Sequence, residues 1–243
     1  MKDSAPRLSL VIPAYNESVR LPASLERLHG ELSRGGLLSS TEVLVVDDGS
    51  ADGTAAAAEA AAARLGLPLR VLALPANRGK GAAVRAGVLA SRGDWVLVSD
   101  ADFSTPFSEW EKLVKTGADV AIGSRGLDES LVKTPQPFFR RASGKLFNRL
   151  VQLIALPGIR DTQCGFKLFR RGAAHAVFAL ATEDRFAFDV EALVLARRLG
   201  YTIAEVPVLW FNSEDSRVGF LSGAKAFIDL GRIRWKTRNV ARA

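Results

Sequence analysis

A chain of 243 residues, 48% of them apolar and 24% charged, has a globular composition and the length to bury a substantial core. Its one cysteine, Cys164, excludes an internal disulfide framework. No run reaches the roughly 18 apolar residues of a membrane span, and the opening MKDSAPRLSLVIP lacks the apolar centre of a signal peptide, so a cytoplasmic protein is expected. The net charge of +7 is uneven: residues 1–123 carry 13 Lys/Arg against 15 Asp/Glu, and residues 124–243 carry 20 against 11. A basic half of this kind suits nucleic acid, an anionic membrane surface or a phosphorylated substrate.

In chain order, five short apolar runs mark the first half: 8–13 (LSLVIP), 42–46 (EVLVV), 69–74 (LRVLAL), 95–99 (WVLVS) and 119–123 (DVAIG). Each is nearly continuous in apolar residues, the pattern of a strand covered on both faces of a mainly parallel sheet. Helical stretches separate them: LPASLERLHGEL from Leu21, the alanine-rich run from Thr54 that Gly66 stops, and GAAVRAGVLASRG from Gly81. In the second half, 137–159 has apolar residues mostly at helical spacing with Arg140, Arg141, Lys145 and Arg149 among them. The segment 160–172 (RDTQCGFKLFRRG) reads as a break; a helix over FDVEALVLARRLG and the strand TIAEVPVLW follow. The chain closes on a basic amphipathic stretch, with Phe220, Ala224, Phe227 and Ile228 on one side and Lys225, Arg232, Arg234, Lys236 and Arg238 nearby. With no internal repeat and no flexible linker, one open α/β domain spanning 1–243 is expected, with a first half to 123 and a second half from 124.

In such sheets ligands bind outside the carboxyl ends of the strands. Those ends read Pro13-Ala14-Tyr15-Asn16-Glu17, Asp47-Asp48-Gly49-Ser50, Asn77-Arg78-Gly79-Lys80-Gly81 and Asp100-Ala101-Asp102. Two carboxylates as close as Asp100 and Asp102 repel unless a cation or water separates them. A hard divalent ion such as Mg²⁺ or Mn²⁺ supplies that cation, taking one or two carboxylates plus the phosphate oxygens of a substrate. A lone pair of aspartates would more often be an acidic helix-capping turn; its place among three other polar strand ends favours the metal. A dinucleotide fingerprint is excluded, because Val84 stands where its third glycine would be. A P-loop is excluded because no glycine sits five residues before Gly79.

These motifs, in this order and spacing, resemble family 2 glycosyltransferases with a GT-A fold. Gly123-Ser124-Arg125, Arg140-Arg141-Ala142-Ser143, the run DTQCGFKLF (161–169) and Phe188-Asp189-Val190-Glu191 are similar to the dolichyl- or polyprenyl-phosphate sugar synthases, and the run is closer to the glucosyl branch. The resemblance covers about residues 7–220. It implies that Pro13, Ala14, Tyr15, Asn16, Glu17, Asp47, Asp48, Gly79 and Lys80 bind a nucleotide-sugar. Asp48 would accept from the base, Asp100 would face ribose or sugar with Ala101 also in the donor site, and Asp102, with Asp100, would ligate the metal. UDP-glucose is the favoured donor, with GDP-mannose as the alternative. Ser104 stands where the mannosyl branch has a metal-binding glutamine, and it is a weaker oxygen donor.

The same resemblance gives the basic half an acceptor. A prenyl phosphate could be gripped by Arg125 and Arg140 or Arg141, with Ser143, Gln163 and Arg217 nearby. An ionised phosphate oxygen attacks the anomeric carbon without a strong base, and attack opposite the leaving diphosphate inverts that centre. A soluble hydroxyl acceptor would instead need a base, for which Asp189 and Glu191 are candidates, although acidic residues also favour the first turn of any helix. The C-terminal stretch either lies on an anionic membrane or packs its apolar face on the domain. A nucleic-acid-binding module is the remote alternative; no recognisable motif or interleaved aromatics support it. Cys164 reads as a small buried residue.

Overall fold

The computed structural model describes residues 6–134, 138–211 and 222–240. Among them seven strands form one sheet: β1 (Leu8–Ala14), β2 (Thr41–Asp47), β3 (Leu69–Ala73), β4 (Trp95–Ser99), β5 (Val120–Ser124), β6 (Phe166–Arg170) and β7 (Ile203–Pro207). Their spatial order is β3-β2-β1-β4-β6-β5-β7. Every pairing is parallel except those of β6, which runs antiparallel to both β4 and β5. The sheet is therefore the open, mainly parallel one expected from the continuous apolar runs, and strands of the two halves interleave in it, β6 lying between β4 and β5.

Helices cover both faces. On one lie α1 (Leu21–Arg34), α2 (Thr54–Leu65) and α4 (Trp110–Lys115), which join a core with Leu10, Ile12, Val43 and Leu168. On the other lie α3 (Lys80–Ala90), α5 (Phe138–Ile154), α6 (Arg171–Leu180), α7 (Phe188–Arg198) and α8 (Ser222–Thr237), packed on Val11, Val46, Val98 and Phe169. In α1 the buried Leu21, Leu25, Leu28 and Leu32 recur every three or four residues, so a single stripe faces the sheet. In α2 the alanine run buries Ala58, Ala61 and Ala62 and ends on Gly66, whose left-handed φ of 64° lets its N–H cap Ala62 and Ala63 carbonyls. Of α8, Leu230 and Ile233 are buried, so this part of the basic stretch packs on the molecule. Phe220 lies outside the described residues.

The segment 160–172 corrects the sequence reading. It is not a break: β6 lies within it and is an interior strand of the sheet, between β4 and β5. Lys167 interrupts the apolar run FKLF and disguised the strand, yet Lys167 is only 2% exposed. The antiparallel register pairs Ser99 with Phe166, so the residues just before β6 arrive at the carboxyl end of β4. The same sheet edge collects the ends of β1 and β2, where Ala14 pairs with Asp47.

Candidate active site

The loops after β1 and β2 are held by their own carboxylates. Asp47 and Asp48, at the end of β2, are 5% and 3% exposed. Asp47 Oδ1 accepts from the Ser50 N–H at 3.0 Å and from the Ser50 hydroxyl. Asp48 accepts from the Arg78 N–H (2.9 Å) with one oxygen and the Gly79 N–H (2.7 Å) with the other, fixing the loop before α3. Asp48, expected to meet a nucleobase, is thus already bound to two amides. At the end of β1, Pro13 and Ala14 are buried, and beyond it Asn16 takes a left-handed φ of 54°. Its N–H donates to Ser50 Oγ (2.9 Å), while the Glu17 N–H donates to Thr54 Oγ1 (2.8 Å) and the Glu17 carboxylate accepts from Arg20 Nε (2.8 Å). The Tyr15 side chain stands 42% exposed beside this frame.

Lys80, the first residue of α3, reaches across to β4, its Nζ 2.5 Å from Asp100 Oδ1. Burial alone would lower its pKa, but the charges of Asp100, Asp189 and Asp102 outweigh it and hold the ammonium above the ordinary lysine value. The neighbouring glycines serve close packing: a β-carbon on Gly79 would stand 2.5 Å from the Asp184 carbonyl oxygen, and one on Gly81 would stand 2.7 Å from Phe188 Cβ. Asp102 is half-buried, with Oδ1 accepting from the Ser104 N–H at 2.9 Å. Ser104 therefore orients Asp102 through its backbone, and its carbonyl accepts from the Phe211 N–H at 2.8 Å.

On the basic side, Arg125 at the end of β5 forms a bidentate clamp with Asp161: Nε to Oδ2 at 2.7 Å and Nη2 to Oδ1 at 2.9 Å. Its guanidinium also lies 5.4 Å from the Trp210 ring centroid. The Gln163 N–H donates to Asp161 Oδ1 at 3.2 Å, which brings Gln163 beside this clamp. Arg140, Arg141 and Ser143 belong to α5, but their side chains, like all of Arg217, lie outside the described residues.

Asp189 is 4% exposed in the first turn of α7, its Oδ1 2.5 Å from Lys167 Nζ, so its carboxylate faces a buried cation. Glu191, the other candidate base, is structural: it accepts from the Thr182 N–H and hydroxyl, both at 2.9 Å, and from the Glu183 N–H at 2.8 Å. Sequence reasoning assigned no role to Lys167, to Gly165 or to Asp161 as the partner of Arg125. The separation of 36 positions between Arg125 and Asp161 leaves no local pattern to announce that pair.

Two rim carboxylates fit a hard divalent ion. Among the described residues no group of three or more His, Cys, Asp or Glu side chains could cage a metal alone. Asp102, backed by Asp100, offers the one or two carboxylate oxygens that Mg²⁺ or Mn²⁺ takes when phosphate and water complete its shell.

A mainly parallel sheet with an Asp-x-Asp turn, a lysine and buried loop-holding aspartates on its carboxyl rim is the layout of a GT-A glycosyltransferase, and solved structures superpose on it. Glucosyl-3-phosphoglycerate synthase from Mycobacterium tuberculosis, in complex with Mn²⁺, UDP and phosphoglyceric acid, covers 97% of this chain and 79% of its own with a TM-score of 0.68 at 20% identity. The mannosyltransferase PcManGT from Pyrobaculum calidifontis, in complex with GDP-Man and Mn²⁺, covers 99% and 66% with a TM-score of 0.63 at 18% identity. The chain belongs to glycosyl transferase family 2, whose model matches residues 9–178. It is 39% identical to a dolichyl-phosphate beta-glucosyltransferase of Dictyostelium discoideum, over 94% of this chain and 74% of that protein. It is 40% identical to the one of Homo sapiens, over 87% and 69%.

Proposed function

We propose that this glycosyltransferase moves glucose from UDP-glucose to a dolichyl or other polyprenyl phosphate, inverting the anomeric centre with Mg²⁺ or Mn²⁺ bound. The observation that carries the reading is the rim itself. Lys80, Asp100 and Asp102 gather at the end of β4, and Arg125 stands at the end of β5, on the far side of the intervening β6. The relatives named dolichyl-phosphate beta-glucosyltransferase supply the sugar and the acceptor.

In this reading Tyr15 and the Asp48 loop receive the nucleoside, and Lys80 turns from Asp100 toward the diphosphate. Asp102 would hold the metal, with Asp100 beside it, and the ion when bound neutralises the diphosphate that leaves. Asp100, relieved of Lys80, faces the ribose or sugar. Asp161 fixes Arg125 in one orientation, so Arg125 meets an anionic head without losing side-chain entropy on binding. Arg140, Arg141, Ser143, Gln163 and Arg217 complete the acceptor side. A phosphate acceptor is ionised near neutral pH, which leaves the chain's residues the tasks of aligning it and stabilising charge. A buried, ion-paired Asp189 is consistent with a reaction that needs no general base.

No helix among the described residues is long and apolar enough to cross a membrane. Leu146 and Leu153 of α5 and Trp235 of α8 are 55%, 81% and 63% exposed, and Arg232 and Arg234 of α8 and Arg238 just after it are exposed. This mixture supports peripheral contact with an anionic membrane surface, where a lipid acceptor would be met.

The test is nucleotide release from UDP-glucose and from GDP-mannose, with a short prenyl phosphate, with and without Mn²⁺. Metal-dependent release from UDP-glucose that needs the prenyl phosphate is expected, falling at least about 100-fold in Asp102→Ala with the fold retained. No metal-dependent release with either donor would overturn the reading.

A further inference from the structure

Asp100 lies against a residue that no motif of donor or acceptor binding accounts for. The antiparallel pairing of β4 with β6 sets Gly165 beside Asp100. A β-carbon on Gly165 would collide with Asp100 Oδ2 and Cγ and stand 2.6 Å from Oδ1, so its nearest neighbours would all be atoms of that carboxyl group. Gly165 is not among the residues with positive φ. Its backbone conformation is open to alanine, and the need for glycine here is the space that Asp100 occupies.

The shelf is tied down by Lys167. Its Nζ donates to the carbonyl of Cys164, at 2.6 Å, and to Asp189 Oδ1, at 2.5 Å. A buried lysine is costly unless it is paired, and this one joins the peptide that precedes Gly165 to the first turn of α7. That turn also carries Phe188, whose ring centroid lies 5.8 Å from Lys80 Nζ. One buried cation therefore links both partners of the Lys80–Asp100 pair to the sheet.

We propose that Gly165 and Lys167 are positioning residues of the donor site: Gly165 provides the shelf on which Asp100 rests, and Lys167 fixes that shelf to α7. The inference rests on the nucleotide-sugar reading of the rim, so the probe is UDP with Mn²⁺, followed by calorimetry without turnover. Gly165→Ala and Lys167→Met are expected to weaken Mn²⁺-dependent UDP binding about 10-fold or more. In an Asp100→Ala background, which is itself weakened, Gly165→Ala is expected to cause no further loss, because the colliding carboxylate is gone.

Wild-type affinity in Gly165→Ala or in Lys167→Met, or equal losses from Gly165→Ala with and without Asp100, would overturn the proposal. If Gly165→Ala fails to fold, Asp100→Ala/Gly165→Ala must fold; a double variant equally unfolded would also overturn it. A wild-type chain that binds no UDP with Mn²⁺ would instead defeat the donor reading, which this control tells apart from failure of the shelf.

Discussion

Single residues at the rim divide into those that face the ligand space and those that hold them there. Asp47 and Asp48 hold loops through amide N–H groups, and Asp100 and Asp102 stand at the turn after β4. Cys164, between Asp161 and Gly165, belongs with the framework: it is 1% exposed, and burial together with the nearby Asp161 charge pushes its thiol up to about 11. At pH 8 the native thiol is therefore expected to react with a disulfide reagent at least about 100-fold more slowly than in the denatured chain, since the thiolate is the nucleophile. Comparable rates in the two states would mean that the 161–165 segment opens readily.

Among the elements, β6 carries the widest consequences. Its antiparallel course brings Asp161, Gln163 and Gly165 to the rim, and its short mixed sequence is why the sequence alone left it as a break. The apolar alternation is interrupted by a charge whose partner, Asp189, is 22 residues away. The parallel strands were legible because continuous β-branched runs have few other uses, and α1, α2 and α7 because apolar spacing or alanine marks them. The rim was legible because Asp, Gly and Lys gather at strand ends. What stayed hidden was which of those carboxylates bind protein, since that depends on long-range pairs such as Arg125–Asp161.

That pair also sets an acid dependence. Burial alone would raise the Asp161 pKa, but Arg125 outweighs it and holds the carboxyl below the usual aspartate range. A depressed folded-state value contributes stability that is fully present above about pH 3.9 and is lost as pH falls through the folded value. Asp161→Asn should flatten this acid limb in pH-dependent unfolding, and Asp161→Ala should cost about 3–5 kcal/mol at pH 7 by leaving Arg125 unpaired. An unchanged acid limb in Asp161→Asn would show that the clamp does not contribute.

For the whole molecule, one sheet joins a slightly acidic half that presents the carboxylate rim to a basic half with Arg125 beside it. This division of charge suits a donor whose diphosphate is met by Lys80 and a metal, and an acceptor whose phosphate is met by arginine. On the proposed reading, donor and acceptor meet in line across the rim. Its most direct test is the anomeric configuration of the product formed from UDP-glucose and a short prenyl phosphate in the presence of Mn²⁺. A single β-linked glucosyl phosphate is predicted; an α-linked product, or glucose released to water with the prenyl phosphate untouched, would contradict it.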